Sequence, residues 1–338
     1  MKRRYTLVFL LCIAALLAVT GCGTEGTTEG KTESKTPVSI QMAWVHEYSA
    51  AGLYAAEKNG HNAEQGLDVT LSEGGFGENG YIEPIEVVVN GTYDFGLTSA
   101  EALIHARADG EPVVAIATLM QRSPSAIISL EESNILRPQD LSGHTIQVAD
   151  GGALNLFNAL LKSQNIDPAT INTLPRAGYG AAPLLNRETD ALYGWIINEG
   201  VEVKEAGETP IYLLLSDYGI DSYSIVLFTT ETTIQEKPEL VEKVTRSLLN
   251  GFRDVIANPT QAINYTLEYD SSLDTDGQLH SLQAMIPLIN VPGKNLGTMD
   301  AYVWEDTQTI MLQEGSLDIA IDLNTVYTTV FLDKIYGQ

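Results

Sequence analysis

Cysteine is almost absent from this chain of 338 residues. The sequence contains only Cys12 and Cys22, and both lie near the N-terminus. Beyond Cys22 the chain can therefore form neither a disulfide nor a zinc site built on cysteines. Its stability must come from a hydrophobic core, and about 300 residues are enough to build two lobes around such cores.

Motifs of several enzyme classes are also missing. None of the five histidines belongs to a His-x-x-x-His or His-Glu-x-x-His pattern, and no Gly-x-Ser-x-Gly sequence occurs. These patterns mark zinc proteases and serine hydrolases. The chain has no Walker A motif either, so we expect it to hydrolyse no ATP. The sequence indicates that the protein is not an enzyme and needs no cofactor.

Positive charge is scarce. The chain carries 19 Lys and Arg against 44 Asp and Glu, which gives a formal net charge of −25. A surface this acidic repels nucleic acid and anionic lipid headgroups. No segment after Cys22 has the length and apolarity of a transmembrane helix. We therefore expect no nucleic-acid partner and no membrane-embedded domain.

The N-terminus has the features of an export signal. Lys2, Arg3 and Arg4 precede an apolar run that is too short to span a membrane comfortably,. Val-Thr-Gly-Cys at residues 19–22 resembles a bacterial lipobox, so we predict a signal peptide over residues 1–21 and a lipid on Cys22. The alternative is an ordinary secretory signal with an incidental cysteine. Residues 22–37 are rich in Thr, Glu, Gly, Lys and Ser, which predicts a flexible tether.

A βαβ unit follows this tether. Alternating residues 38–43 predict a strand, small and apolar residues predict a helix over residues 49–59, and residues 67–71 predict a second strand,. The loop from Trp44 to Tyr48 then lies at the carboxyl edge of a sheet. Open α/β sheets bind ligands at that edge.

Four segments carry a family resemblance. Gly-Leu-Tyr-Ala-Ala-Glu-Lys-Asn-Gly (residues 52–60) precedes Glu-Gln-Gly-Leu-Asp-Val (64–69), with Asp-Phe-Gly at 94–96 and Asp-Leu-Ser-Gly at 140–143 further along. The sequence resembles the solute-binding proteins of ABC importers. It is most similar to the branch that binds thiamine-pyrimidine precursors, which has riboflavin, nitrate and sulfonate binders as relatives.

The resemblance implies an α/β fold of the two-lobe periplasmic-binding-protein type, similar to type II. It assigns residues 38–127 and 225–338 to the first lobe and residues 130–222 to the second. Two chain crossings, near Ile128 and Tyr223, would form the hinge. Eukaryotic pyrimidine synthases share this fold, but that activity needs an intracellular protein with a Cys-rich metal motif. The export signal and the lack of cysteine argue against it.

Helices in the last hundred residues are predicted to wrap the first lobe. Pro238 to Asn258 forms a long amphipathic helix with an apolar stripe that includes Val244, Leu248 and Phe252,. A final helix is predicted over residues 323–336.

Candidate ligand-binding residues lie on loops at predicted strand ends or at helix starts. They are Trp44, Tyr48, Ser99, Gln121, Asn155, Tyr179, Trp195 and Glu199. Three of them also have a plainer explanation. Ser99 would serve as a helix cap, Trp195 as core, and Glu199 as an acid favoured at a helix start. The resemblance implies instead that Glu199 reads the ring nitrogens of a ligand.

The aromatic side chains of these loops favour a flat heterocycle that binds by stacking. Riboflavin is the preferred ligand, because a larger fused ring uses more aromatic residues than one pyrimidine does. The alternative is a hydroxymethyl- or formamido-pyrimidine precursor of thiamine. A sulfonate or nitrate is less favoured, since it would need cationic side chains. The resemblance further implies a monomer, anchored outside the cell membrane by its lipid alone. It would deliver ligand to an ABC permease served by a separate ATPase subunit.

Overall fold

The computed structural model describes residues 34–77, 80–176 and 178–337. The predicted signal peptide, Cys22 and most of the predicted tether lie outside these residues. Residues 35–338 form one compact unit. In the described part of the chain, no helix is both long and apolar enough to cross a membrane.

Twelve strands are found in the described residues. In chain order they are β1 (Thr36–Gln41), β2 (Leu67–Ser72), β3 (Phe76–Gly77), β4 (Gly80–Tyr81), β5 (Phe95–Thr98), β6 (Val113–Thr118), β7 (Ser125–Leu130), β8 (Thr145–Val148), β9 (Asn172–Pro175), β10 (Ala191–Trp195), β11 (Pro210–Leu214) and β12 (Val226–Thr230).

The strands form two five-stranded sheets of the same topology. The first sheet has the order β2-β1-β5-β12-β6, and the second has the order β9-β8-β10-β7-β11. Within each sheet the fourth strand of this order is antiparallel to both of its neighbours. That strand, β12 or β7, enters from the other sheet. We call each sheet with the helices packed on it the first and the second lobe, and the predicted two-lobe α/β fold is confirmed.

The chain passes between the sheets twice, between β6 and β7 and again between β11 and β12. Asp221 joins the two crossings, because its buried carboxylate accepts hydrogen bonds from the amides of Ser123 (3.3 Å) and Ser222 (3.0 Å). β7 pairs along its whole length with strands of the second sheet. The first crossing therefore precedes Ser125, upstream of the position predicted near Ile128. The residue limits of the lobes stay a prediction.

Thirteen α-helices lie in the described residues. They are α1 (Ala51–Lys58), α2 (His61–Glu64), α3 (Pro84–Val89), α4 (Ala100–Ala108), α5 (Gly152–Ser163), α6 (Ala182–Leu185), α7 (Glu199–Glu205), α8 (Glu231–Glu236), α9 (Pro238–Ala257), α10 (Pro259–Tyr269), α11 (Thr275–Ile289), α12 (Ala301–Gln313) and α13 (Val330–Tyr336).

The long helix α9 packs on α1 to build the core of the first lobe. Val244, Leu248 and Phe252 of the predicted stripe are all buried there. Gly52 and Gly251 permit the close approach, because a Cβ on Gly52 would lie 2.5 Å from the ring of Phe252. This packing fixes the start of α1, and with it the loop that follows β1.

The C-terminal segment differs from the predicted helix over residues 323–336. A single 3-10 turn, Leu323–Thr325, is followed by one β-bridge between Tyr327 and Ala115 of β6. The Ala115 amide donates to Val326 O (2.8 Å), and the Thr328 amide donates to Ala115 O (3.0 Å). β6 is the edge of the first sheet, and its free backbone groups recruit this segment. The helix therefore begins only at Val330.

Candidate functional site

Three loops at strand ends bring five of the candidate residues to the space between the lobes. Trp44 and Tyr48 follow β1 in the first lobe. In the second lobe, Tyr179 follows β9, while Trp195 ends β10 four residues before Glu199 begins α7. Both sheets carry parallel strands whose carboxyl ends lie at one edge, which is where a two-lobe α/β protein can surround a ligand.

An aromatic cluster spans the two lobes at this edge. The rings of Trp44 and Tyr179 lie in edge contact, with centroids 6.1 Å apart and an interplanar angle of 67°. Trp44 also contacts Phe76 (6.1 Å), which in turn contacts Tyr81 across the β3–β4 hairpin (5.5 Å). Tyr179 is 83% exposed and Phe76 is 70% exposed. Such large exposed rings gathered in one place are typical of a binding surface.

Tyr48 is buried and joins the lobes by a hydrogen bond. Its hydroxyl donates to Asn198 Oδ1 of the second lobe, and its amide donates to Gln278 Oε1 (2.7 Å). Burial raises the pKa of the Tyr48 hydroxyl well above its ordinary value, with Glu47 and Glu199 adding to the shift. The hydroxyl therefore keeps its proton and acts as a donor.

Glu199 is only 4% exposed and its carboxylate is fully engaged inside the second lobe. Oε1 accepts from Arg176 Nη2 (2.8 Å), and Oε2 accepts from the amide of Trp195 (2.9 Å). Trp195 itself is partly buried against the core of the first lobe. The helix that starts at Glu199 thus lies at the contact between the lobes.

Ser99 caps α4, since its Oγ accepts from the amide of Ala102 (3.2 Å). Two residues later, Glu101 approaches the second lobe, because a Cβ on Gly152 would lie 3.2 Å from Glu101 Oε2. Burial raises the pKa of the Glu101 carboxyl. Asn155 is half-buried, one turn into the α5 helix that Gly152 begins. The starts of α4 in the first lobe and α5 in the second lobe therefore lie next to each other.

Gln121 and Arg122 follow β6 but are held by other parts of the protein. Gln121 is 1% exposed and donates through Nε2 to the carbonyl of Asn295. Its Oε1 is buried without a partner among the described residues. Arg122 forms an ion pair with Asp217 (2.6 Å). Gln121 therefore offers one free acceptor, whereas Arg122 is neutralised.

Three residues of this site are absent from the sequence-based candidates: Phe76, Arg176 and Asn198. Phe76 is a large apolar side chain inside a glycine-rich polar segment, and that contrast is a usable sequence signal. Arg176 and Asn198 carry no such signal, because their roles depend on partners distant in sequence. Within the described residues, no group of three or more His, Cys, Asp or Glu side chains is arranged to hold a metal ion.

Comparison with known proteins gives relatives of more than one kind. The riboflavin-binding protein RibY of Chloroflexus aurantiacus is 26% identical over 305 residues, covering 87% of this chain and 86% of the relative. The formylaminopyrimidine-binding protein of Halalkalibacterium halodurans is also 26% identical, over 302 residues, covering 87% of this chain and 89% of its own length. A 4-amino-5-hydroxymethyl-2-methylpyrimidine phosphate synthase of Legionella pneumophila is 23% identical over 299 residues.

Solved structures share the fold. The putative periplasmic sulfonate-binding protein SsuA of Methylobacillus flagellatus superposes with a TM-score of 0.69 at 15% identity, covering 90% of this chain and 95% of that one. The aliphatic sulphonate-binding protein SsuA of Escherichia coli gives a TM-score of 0.67 at 14% identity, covering 87% and 92%. A family model described as "NMT1/THI5 like" matches residues 47–262, and the chain accordingly belongs to the NMT1/THI5-like family.

Proposed function

We propose that the protein is the substrate-binding component of an ABC importer and that it captures riboflavin between its two lobes. The observation that carries this proposal is the contact of Trp44 with Tyr179 across the lobes. The relatives named as riboflavin-binding and formylaminopyrimidine-binding support a role in binding rather than catalysis. The relatives named as synthases are 23–24% identical.

Ring stacking provides the proposed recognition. A flat isoalloxazine can lie against Trp44 and Tyr179, with Phe76 and Tyr81 extending the apolar surface on the side of the first lobe. Aromatic contacts of this kind contribute about 0.5–1.5 kcal/mol each beyond the area that they bury. Gln121 stays a proposed ligand contact: its buried Oε1 has no partner among the described residues, and it would accept a hydrogen bond from a ring N–H only if opening of the lobes exposed it,.

The cations near this edge argue against a sulfonate or nitrate ligand. Arg176 already donates to Tyr193 O (2.7 Å), Gly180 O (2.6 Å) and Glu199. Arg122 is paired with Asp217. An anionic ligand binds best to free guanidinium or ammonium groups. A neutral aromatic ligand suits this arrangement better.

Capture would proceed by closure of the lobes. Contacts that join them include the Tyr48–Asn198 hydrogen bond and the His280–Glu205 contact (2.7 Å). A ligand that touches both lobes binds the closed state more tightly than the open one, so it shifts the population toward closure. The closed protein would then dock on a permease whose separate ATPase subunit supplies the energy. We propose that the receptor is a monomer held outside the cell membrane by a lipid on Cys22.

The second candidate ligand is a thiamine-pyrimidine precursor. The formylaminopyrimidine-binding relative is as similar to this chain as the riboflavin-binding relative is, with 26% identity to each. A single pyrimidine would use Trp44 or Tyr179 as a stacking partner and leave Phe76 uncovered.

Tryptophan-fluorescence titration tests the proposal. Residues 35–338 are titrated with riboflavin and, separately, with hydroxymethyl- and formamido-pyrimidine. Saturable quenching by riboflavin, with flavin emission falling in parallel, is the expected result. A response to the pyrimidines alone would identify a thiamine-precursor receptor. No change in tryptophan fluorescence with any of the three compounds would contradict recognition of a flat heterocycle.

A further inference from the structure

Tyr179 stands on a short loop whose backbone requires glycine. Gly178 has a φ of 142° and Gly180 a φ of 91°, and both values lie in a region that other residues rarely adopt,. Tyr179 itself is 83% exposed, so its own side chain does little to hold the loop in place. We call residues 178–180 the Tyr179 loop. Something outside this loop must set its position.

Two side chains provide that support. Arg176 reaches over the loop, and its Nη2 donates both to Gly180 O (2.6 Å) and to Glu199 Oε1 (2.8 Å). Its Nη1 donates to Tyr193 O of β10 (2.7 Å). The amide of Gly180 also approaches Glu199 Oε1 (3.4 Å). One guanidinium and one carboxylate thus tie the loop to β10 and to the start of α7.

Glu202, one turn along α7, adds a third tie. Its Oε2 accepts from the amide of Ala181 (2.6 Å), directly after the loop. The same helix contacts the first lobe through His280, which bonds Glu205 Oε1 (2.7 Å), and it begins beside Asn198, which bonds Tyr48. The helix that supports the Tyr179 loop is therefore also an element that meets the first lobe.

The Arg176–Glu199 pair is buried, with both side chains 6% exposed. A buried ion pair adds little net stability compared with apolar packing, because both charges lose their hydration. Such pairs can instead specify one arrangement of the surrounding chain. Gly194 of β10 leaves room for this pair, since a Cβ at that position would lie 2.8 Å from Glu199 Oε2.

We propose that Glu199 is a positioning residue that acts through Arg176 to hold Tyr179 where it meets Trp44 of the first lobe. Both carboxylate oxygens are engaged within the second lobe, so the ligand is read by Tyr179 rather than by Glu199. This inference deepens the proposed function and rests on it for the identity of the ligand. The placement of the loop itself can be measured without any ligand.

Residues 35–338 contain no cysteine, so Tyr179→Cys creates a single site for a bimane label. Bimane emission is quenched by a tryptophan in contact with it, and Trp44→Phe identifies the part due to Trp44. In the labelled Tyr179→Cys protein that keeps Trp44, we expect Glu199→Gln to raise the bimane emission by about twofold. That level should equal the emission of the labelled Trp44→Phe protein. Glu208→Gln is the matched control, because it removes one carboxylate from an exposed ion pair of the same lobe.

Two further variants disturb the support without removing the carboxylate. Gly194→Ala crowds Glu199 Oε2, and Arg176→Lys keeps the charge but cannot span its three acceptors. Both should release the label as Glu199→Gln does. Far-UV circular dichroism identifies any variant that fails to fold, and the remaining variants then decide the outcome.

With Tyr179 intact, Glu199→Gln should weaken riboflavin binding by about two- to twelvefold, the loss that corresponds to one aromatic contact. If Glu199→Gln weakens riboflavin binding but leaves the bimane label as strongly quenched as in the Glu208→Gln control, the proposal is overturned. Glu199 would then be a ligand contact. An unchanged label together with unchanged affinity would overturn it as well. If the unsubstituted protein binds no riboflavin, the proposed ligand fails, while the label experiment still tests the positioning role.

Discussion

Trp44 of the first lobe and Tyr179 of the second lobe touch each other edge to face, with their ring centroids 6.1 Å apart. They come from loops that are 135 residues apart in the sequence. Their contact depends on the approach of the two lobes. It therefore links the proposed recognition of an aromatic ligand to closure of the lobes.

Replacing Tyr179 with Ala should weaken riboflavin binding by about 0.5–1.5 kcal/mol, because one face of the aromatic surface is lost. This corresponds to an increase in Kd of about two- to twelvefold. Fluorescence titration measures the change. Tyr302→Ala is the control, since Tyr302 is also exposed (51%) but lies on α12. Equal affinities for the two variants would count against Tyr179 as a ligand contact.

Tyr48→Phe should raise the Kd for the ligand by about fivefold, through faster dissociation. The change keeps the buried ring but removes the hydrogen bond to Asn198 of the other lobe, which is worth about 1 kcal/mol,. Stopped-flow fluorescence gives the two rate constants.

Tyr336→Phe provides the comparison for Tyr48→Phe. It removes a hydrogen bond to Leu296 O (2.8 Å) that lies within the first lobe. That variant should lose stability without losing affinity. A similar loss of affinity in both variants would show that the Tyr48–Asn198 bond has no special part in closure.

Arg122→Ala should leave the riboflavin Kd within about twofold of its original value. The Arg122–Asp217 pair is exposed, since the side chains are 39% and 56% accessible to solvent. Exposed ion pairs contribute about 0–1 kcal/mol to stability. Arg187→Ala removes two exposed ion pairs, to Glu132 and Glu208, and serves as the control. A loss of more than about tenfold, specific to Arg122, would point to a sulfonate or nitrate ligand instead.

Glu101→Gln should flatten the dependence of stability on pH. Burial raises the pKa of this carboxyl above its ordinary value of 4.5, so the folded protein binds the proton more tightly than the unfolded chain does. The favourable contribution is complete below pH 4.5 and is lost as the pH rises through the raised pKa,.

At neutral pH the charged form of Glu101 is disfavoured by its burial, so the Gln variant should have the higher Tm there. Thermal unfolding from about pH 4 to about pH 8 measures the difference from the unsubstituted protein. Glu236→Gln, at an exposed position, is the control. A pH profile identical to that of the unsubstituted protein would mean that Glu101 is solvated in solution.

Local patterns in the sequence predicted most elements of this fold closely. The strand at residues 145–148 and the long helix beginning at Pro238 agree with the structure to within a residue. Each is bounded by signals that act over a few residues, such as the proline that starts the helix. The C-terminal helix was predicted seven residues too early, because the β-bridge at Tyr327 that precedes it depends on the distant edge strand β6.

The candidate site likewise has features set by local sequence and features set by contacts between distant residues. The sequence by itself determined that aromatic and polar residues follow the strands, because strand ends and helix caps are local features. Only the tertiary structure decided that Tyr179 contacts Trp44, that Tyr48 donates a hydrogen bond to Asn198, and that Arg176 forms an ion pair with Glu199. Those partners lie between 23 and 150 residues apart. The first two pairings depend on how the two lobes approach each other, whereas the Arg176–Glu199 pair depends on the folding of the second lobe, and neither is specified by local sequence signals,.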